Sequence, residues 1–180
     1  LTDEDRVGQL RLLSETVESH FGVRPRGMWM TERVWEQGLV TGIRESGLEY
    51  TAVDDSHFKR AGLGNVDLTG SFLTEDRGNL LRIFPMDERL RYLIPYGAPE
   101  EAVDYLRELA EGGEGRVAVF GDDGEKFGVW PESYKHCYED GWLRRFFDRV
   151  SENEDWLGQV TLAESVDGHD PLGKIYLPDA

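Results

Sequence analysis

Apolar and polar positions along the chain alternate between helical and strand-like spacing. Val7, Leu10, Leu13, Val17 and Phe21 recur at intervals of three and four, behind a Thr2-Asp3-Glu4-Asp5 segment with the form of a capping box. This predicts a first helix ending near Gly22. After Pro25-Arg26-Gly27, the short apolar run Met28-Trp29-Met30 reads as a buried strand, followed at once by Thr31-Glu32-Arg33. Leu39, Val40 and Ile43 suit a helix closed by Gly47, and Tyr50-Thr51-Ala52-Val53 the next strand, ending at Asp54-Asp55-Ser56-His57. Residues 71–74 and 80–84, with a turn between them at 75–79, read as a hairpin or a pair of short strands. Pro99 and Gly112 bracket an amphipathic helix with Val103, Leu106 and Leu109 inward.

Further strands are expected at Arg116–Phe120, delivering Gly121-Asp122-Asp123-Gly124-Glu125, and at Gln159–Ala163, ending at Glu164. Two helices are expected between them, the second holding Trp142, Leu143, Phe146, Phe147 and Val150. Strand, helix, strand is the rhythm of an α/β fold with a parallel sheet. Acidic residues stand at the carboxyl end of each strand, where such folds place their sites, so carboxylates from separate strands are expected to share a cleft.

At 180 residues and 39% hydrophobic, the chain is of a size to fold as one domain around a sizeable core. Its formal charge of −16 repels phosphate backbones and anionic lipid, so neither nucleic acid nor a membrane surface is expected as a partner. No run approaches the roughly 18 apolar residues of a membrane helix. The single cysteine, Cys137, excludes an intrachain disulfide and suits a reducing compartment, which makes the cytoplasm the expected location.

Three clusters carry candidate chemistry. Glu32 stands among Trp29, Arg33 and Trp35; aromatic rings stack on sugar faces, and a guanidinium keeps a carboxylate ionised, as a nucleophile requires. The competing reading is a salt bridge to Arg33 inside a tryptophan-rich core. In the second cluster, Asp122, Asp123 and Glu125 crowd within a glycine-flanked turn, and crowding raises a carboxyl pKa toward that of a general acid. A hydrated turn or a calcium loop are the alternatives, though the full EF-hand spacing is lacking. Asp54, Asp55 and His57 form the third, with a helix cap and a surface histidine as the plainer reading. No metal spacing links His20, His136 and His169, and neither a metal nor a cofactor is expected.

Taken in order, Gly27-Met28-Trp29-Met30-Thr31-Glu32-Arg33-Val34-Trp35, Val53-Asp54-Asp55-Ser56-His57-Phe58 and Asp122-Asp123-Gly124-Glu125-Lys126-Phe127-Gly128-Val129-Trp130-Pro131 resemble glycoside hydrolase family 57. Within that family, Arg89-Leu90-Arg91-Tyr92-Leu93-Ile94-Pro95 favours the 4-α-glucanotransferase subgroup. The resemblance implies part of an incomplete (β/α)7, TIM-like barrel and a retaining double displacement on α-1,4-glucans or maltooligosaccharides. Glu32 would be the nucleophile and Asp123 the acid/base, with their carboxyl groups about 5 to 5.5 Å apart. Asp122 is the neighbouring alternative for that second role; the Asp-x-Glu-x-Phe-Gly pattern of the family begins at Asp123. Trp29, Asp54, Asp55, His57, Asp122, Glu125 and Trp130 would contact substrate, the third cluster through sugar hydroxyls. The N-terminal strand with its His-Gln-Pro motif and the Gly-x-x-Glu region of the family do not occur, and the first residue is Leu1. The expectation is therefore a single partial barrel domain, inactive alone. α-Amylase or branching activity, a metal-dependent polysaccharide deacetylase and a non-catalytic glucan-binding remnant are the competing functions.

Overall fold

The computed structural model describes residues 2–179, which divide into two compact units, residues 2–86 with 161–179, and residues 87–160. The first unit opens with α1 (Asp3–Phe21). The Thr2 hydroxyl accepts from the Asp5 backbone N–H while the Asp5 carboxylate accepts from the Thr2 N–H, and Gly22 closes the helix at φ 74°. Its buried side is formed by Val7 and Ser14, with Leu10 and Val17 half-buried. Leu13 and Phe21, assigned to the apolar stripe from spacing alone, lie off that side and are exposed.

β1 (Gly27–Trp29), β2 (Tyr50–Asp54), β3 (Phe72–Asp76) and β4 (Asn79–Met86) form one sheet in the order β1-β2-β4-β3. β1 runs parallel to β2, with Trp29 opposite Ala52, and β2 parallel to β4, with Thr51 opposite Ile83. The expected hairpin is the antiparallel pair β3/β4, turned through Arg77 and Gly78, both at positive φ, as a two-residue turn between right-twisted strands requires. A 3-10 turn at Thr31–Arg33 follows β1, α2 (Leu39–Glu45) precedes β2, and α3 (Asp55–Phe58) follows β2.

Trp35, Val40, Ile43, Val53, Phe58, Phe72, Leu81 and Ile83 fill the core between α2 and the sheet. Ile175 and Leu177 join it from the last residues of the chain, where Leu73 N–H donates to Gly173 and Ile175 N–H to the Leu73 carbonyl. Residues Gln159–Ala163, expected as a strand, instead lead into α7 (Leu162–Gly168). Thr161 and Glu164 build a second reciprocal capping box there, and that local closure overrides the β propensity of Val160 and Thr161. Arg26 ties this helix down, donating bidentately to Glu49 at 3.0 and 2.7 Å and to Asp167 at 2.8 Å through each of two nitrogens.

The second unit carries α4 (Glu88–Leu93), α5 (Pro99–Ala110) and α6 (Trp142–Ser151) around Leu90, Ile94, Ala102 and Trp142. The Trp142 indole donates to the Gly97 carbonyl at 2.7 Å, so its one polar atom is satisfied in the core. Arg116–Phe120 is not a regular strand: it buries Val117 and Val119 and makes a single bridge at Val119. A β-rich sequence does not supply the neighbouring partner that would make it a strand. Cys137 is buried and reduced, and burial pushes its thiol pKa up, as suits a packing residue.

Candidate active site

Because β1 and β2 are parallel, the segments after Trp29 and after Asp54 emerge at the same end of the sheet. Glu32 stands three residues past β1, in a turn closed by the Arg33 N–H on the Met30 carbonyl at 2.9 Å. Glu32 has φ 53° and ψ 7°, and Arg33 φ 58°. Two successive residues with side chains in the left-handed region are uncommon, and such strain concentrates at functional sites. The Glu32 carboxylate is exposed and makes no hydrogen bond or ion pair among the described residues.

Neither of the enclosing groups expected from sequence is on that carboxylate. Trp35 is 0% exposed and belongs to the core, three residues beyond Glu32 and facing inward. The Arg33 guanidinium is committed elsewhere, its Nε donating to Asp54 Oδ2 at 3.1 Å. Trp29 remains available as a sugar platform, 41% exposed. At the end of β2, Asp55 is buried and paired with Lys59 at 2.8 Å, and His57 is 5% exposed, its Nε2 on the Arg33 carbonyl at 3.0 Å. A carbonyl only accepts, so Nε2 carries the proton and the buried Nδ1 is left without a partner. The polar atoms of the third cluster thus face the protein to a degree that sequence did not indicate.

The Gly121–Trp130 segment lies in the second unit, where a 3-10 turn at Gly124–Phe127 reverses the chain. Asp122 is buried, its side chain 3% exposed, and Lys126 donates to its Oδ2 at 2.5 Å. The Asp123 backbone N–H donates to Oδ1 at 2.9 Å, and Arg91 stands 3.5 Å from the same oxygen. The Lys126 ammonium also donates to the Arg91 carbonyl and lies over the Tyr96 ring at 4.9 Å. Burial alone raises the Asp122 pKa, but the Lys126 and Asp123 donors and the two cationic charges outweigh it. Its carboxyl is held below the usual aspartate range. The expected effect of crowding, a raised pKa, is reversed at Asp122 because cations and donors surround it rather than its acidic neighbours.

Asp123 differs from its neighbour. It is half-buried, its side chain does not cap the following turn, and its carboxylate makes no hydrogen bond or ion pair among the described residues. Glu125 is exposed and also unpaired, its carbonyl accepting from Val129 and Trp130 at 2.9 and 3.0 Å. Trp130, 42% exposed, borders a cavity of about 400 Å³ together with Pro95, Tyr96, Glu132, Ser133 and His136. Lys126 and Arg91 are the functional neighbours that sequence reasoning missed. The four-residue spacing from Asp122 to Lys126 was the available signal for the first. Among the described residues no three His, Cys, Asp or Glu side chains converge as a metal site would require, and no helix is long and apolar enough to cross a membrane.

Glu32 after β1 and Asp54 and Asp55 at the end of β2, with the exposed Trp29 ring close by in sequence, stand at the carboxyl ends of parallel strands, the position where α/β folds place their sites. The chain matches Glycosyl hydrolase family 57 over residues 1–178 and belongs to that family. It is 48% identical over 177 residues to an α-amylase of Pyrococcus furiosus, covering 98% of this chain and 27% of the relative. A 4-α-glucanotransferase of Thermococcus kodakarensis is 47% identical over the same length and share. The crystal structure of the 4-α-glucanotransferase of Thermococcus litoralis superposes on 100% of this chain and 28% of that one, with a TM-score of 0.95 and 44% identity. An α-amylase structure from Thermotoga maritima shares the fold, with a TM-score of 0.72 at 19% identity. The chain therefore folds as part of the α/β barrel of this family, and it spans about a quarter of the length of the relatives it matches.

Proposed function

We propose that this chain carries the two catalytic carboxylates of a retaining α-glucan-active enzyme, a 4-α-glucanotransferase acting on α-1,4-glucans or maltooligosaccharides. Glu32 attacks the anomeric carbon; Asp123 protonates the leaving oxygen and then deprotonates the acceptor hydroxyl, so the glucosyl group passes through a covalent ester on Glu32. The observation that carries this assignment is the division of labour among the acidic residues. Asp54, Asp55 and Asp122 are held in ion pairs, whereas Glu32 and Asp123 keep carboxylates that no side chain among the described residues neutralises. A nucleophile must be unencumbered, and an acid/base must exchange its proton, which a group locked by Lys126 does poorly. Trp29 and Trp130 supply faces for sugar rings, and Glu125 a hydrogen-bond acceptor for a hydroxyl. Family membership supports the substrate class, and relatives named as amylase and as glucanotransferase keep hydrolysis as the second reading.

The test uses the protein expressed from its complete coding sequence. Glu32→Ala with azide should give a glucosyl azide of inverted configuration, because the anion enters the space vacated by the nucleophile. Asp123→Ala with a donor bearing a good leaving group should still form the covalent intermediate and give azide of retained configuration. Exchanged stereochemistry between the two variants would refute the roles.

A further inference from the structure

Glu32 has no partner among the described residues that fixes its carboxylate, yet its backbone is held in a conformation that residues with side chains avoid. Something else must hold that conformation, and Arg33 is the residue that is gripped. Its guanidinium is on Asp54, with side chains only 16% and 26% exposed, and its carbonyl accepts from the His57 Nε2–H. Both grips come from the residues that end β2 and begin α3, a parallel neighbour of β1. One acts on the side chain of the residue after Glu32 and the other on its peptide group, so together they fix the turn in two places.

We propose that Asp54 and His57 are positioning residues that clamp the left-handed Glu32-Arg33 turn and so aim the Glu32 carboxylate; this rests on the reading of Glu32 as nucleophile. Asp54 has a second effect. Arg33 adjoins Glu32 in sequence, and a guanidinium released from Asp54 would be free to pair with the Glu32 carboxylate, blunting its attack. Diverting Arg33 keeps the nucleophile bare. His57, with its ring buried and its donor spent on the Arg33 carbonyl, acts through the backbone and not by touching sugar.

The prediction is a split between catalysis and binding, measured in the protein expressed from its complete coding sequence. His57→Leu removes the donor and should lower kcat about 100-fold, the scale of a misplacement of about 1 Å, with KM moving less than about 3-fold. His57→Gln can still donate to the Arg33 carbonyl and should recover most of that loss. Asp54→Asn, a milder change that keeps the shape, should lower kcat roughly 10-fold or more and carries the same test if His57→Leu does not fold. The deciding comparison sets the same changes in the Glu32→Ala background with azide. A residue that acts only by aiming Glu32 has nothing left to aim, so the azide-rescued rate should change less than about 3-fold. Equal losses in both backgrounds would overturn the clamp, as would a rise in KM with kcat unchanged, which marks a sugar-hydroxyl contact. Failure of azide to rescue Glu32→Ala at all would instead sink the assignment of the nucleophile, whatever the clamp variants do in the parent enzyme.

Discussion

Asp122 and Lys126 form an ion pair of 2.5 Å in which the two side chains are 3% and 5% exposed. A charge so removed from water needs its partner, and deleting one member of such a pair costs about 3 kcal/mol or more because the other is stranded. Asp122→Asn should therefore lower the melting temperature at neutral pH. The folded state holds Asp122 below the ordinary value of 3.8, so its contribution is complete above that pH and disappears as pH falls through the depressed value. Thermal melts of the parent and Asp122→Asn should run parallel from pH 7 to 5 and converge only below about pH 4. Convergence already at pH 6 would show that Asp122 is not the low-pKa anion described.

The same pair ranks the two aspartates. Asp122→Ala should spare the chemistry relative to Asp123→Ala, costing activity on glucan of about 1 to 3 kcal/mol in transition-state stabilisation as the turn around Asp123 loosens. Steady-state kcat/KM on a maltooligosaccharide decides it: the assignment fails if Asp122→Ala is the more damaging change.

Trp29 and Trp35 should fail in different ways. Trp35 is fully buried, so Trp35→Ala should destabilise the fold by about 3 to 5 kcal/mol. Trp29 is 41% exposed beside the site, so Trp29→Ala should leave the melting temperature within about 1 °C and raise KM for glucan several-fold, as loss of a stacked ring would. Calorimetry and initial rates on the two variants separate the effects.

How far these roles could be read without coordinates depended on whether the deciding interaction was local. Thr2 with Asp5, Gly22 and the Arg77-Gly78 turn are specified within a few residues, and the helix and hairpin they predict are present. Thr161 and Glu164 carry an equally local capping signal, and it prevails over the β-prone run around it. Arg116–Phe120 fails for the opposite reason, since β-rich composition predicts a strand but pairing depends on a partner elsewhere. At the site, the motif picked out Glu32 and Asp123 by resemblance. Which acids are neutralised was legible only in part: the four-residue spacings of Asp55 with Lys59 and of Asp122 with Lys126 are local, whereas Arg33 reaches Asp54 across 21 positions and Arg91 reaches Asp122 across 31, contacts made only by the fold.

The 180-residue chain by itself should show no measurable disproportionation of maltodextrin, because it spans only 27% of relatives such as the P. furiosus α-amylase. Chromatography of maltodextrin incubated with the purified chain checks this, and a ladder of redistributed products would contradict it.

The hydrogen bonds that residues Gly173 and Ile175 make with Leu73 give the sheet a direction of growth. On the β3 side the returning tail occupies the N–H and C=O of Leu73, backbone groups that another strand would use. On the opposite side, β1 has β2 as its one neighbour among the described residues and offers its outer N–H and C=O groups. A strand added beside β1 would lie next to the segment that presents Glu32. Such a strand would then also wall the Glu32 turn, so extending the sheet and enclosing the candidate site would be one event.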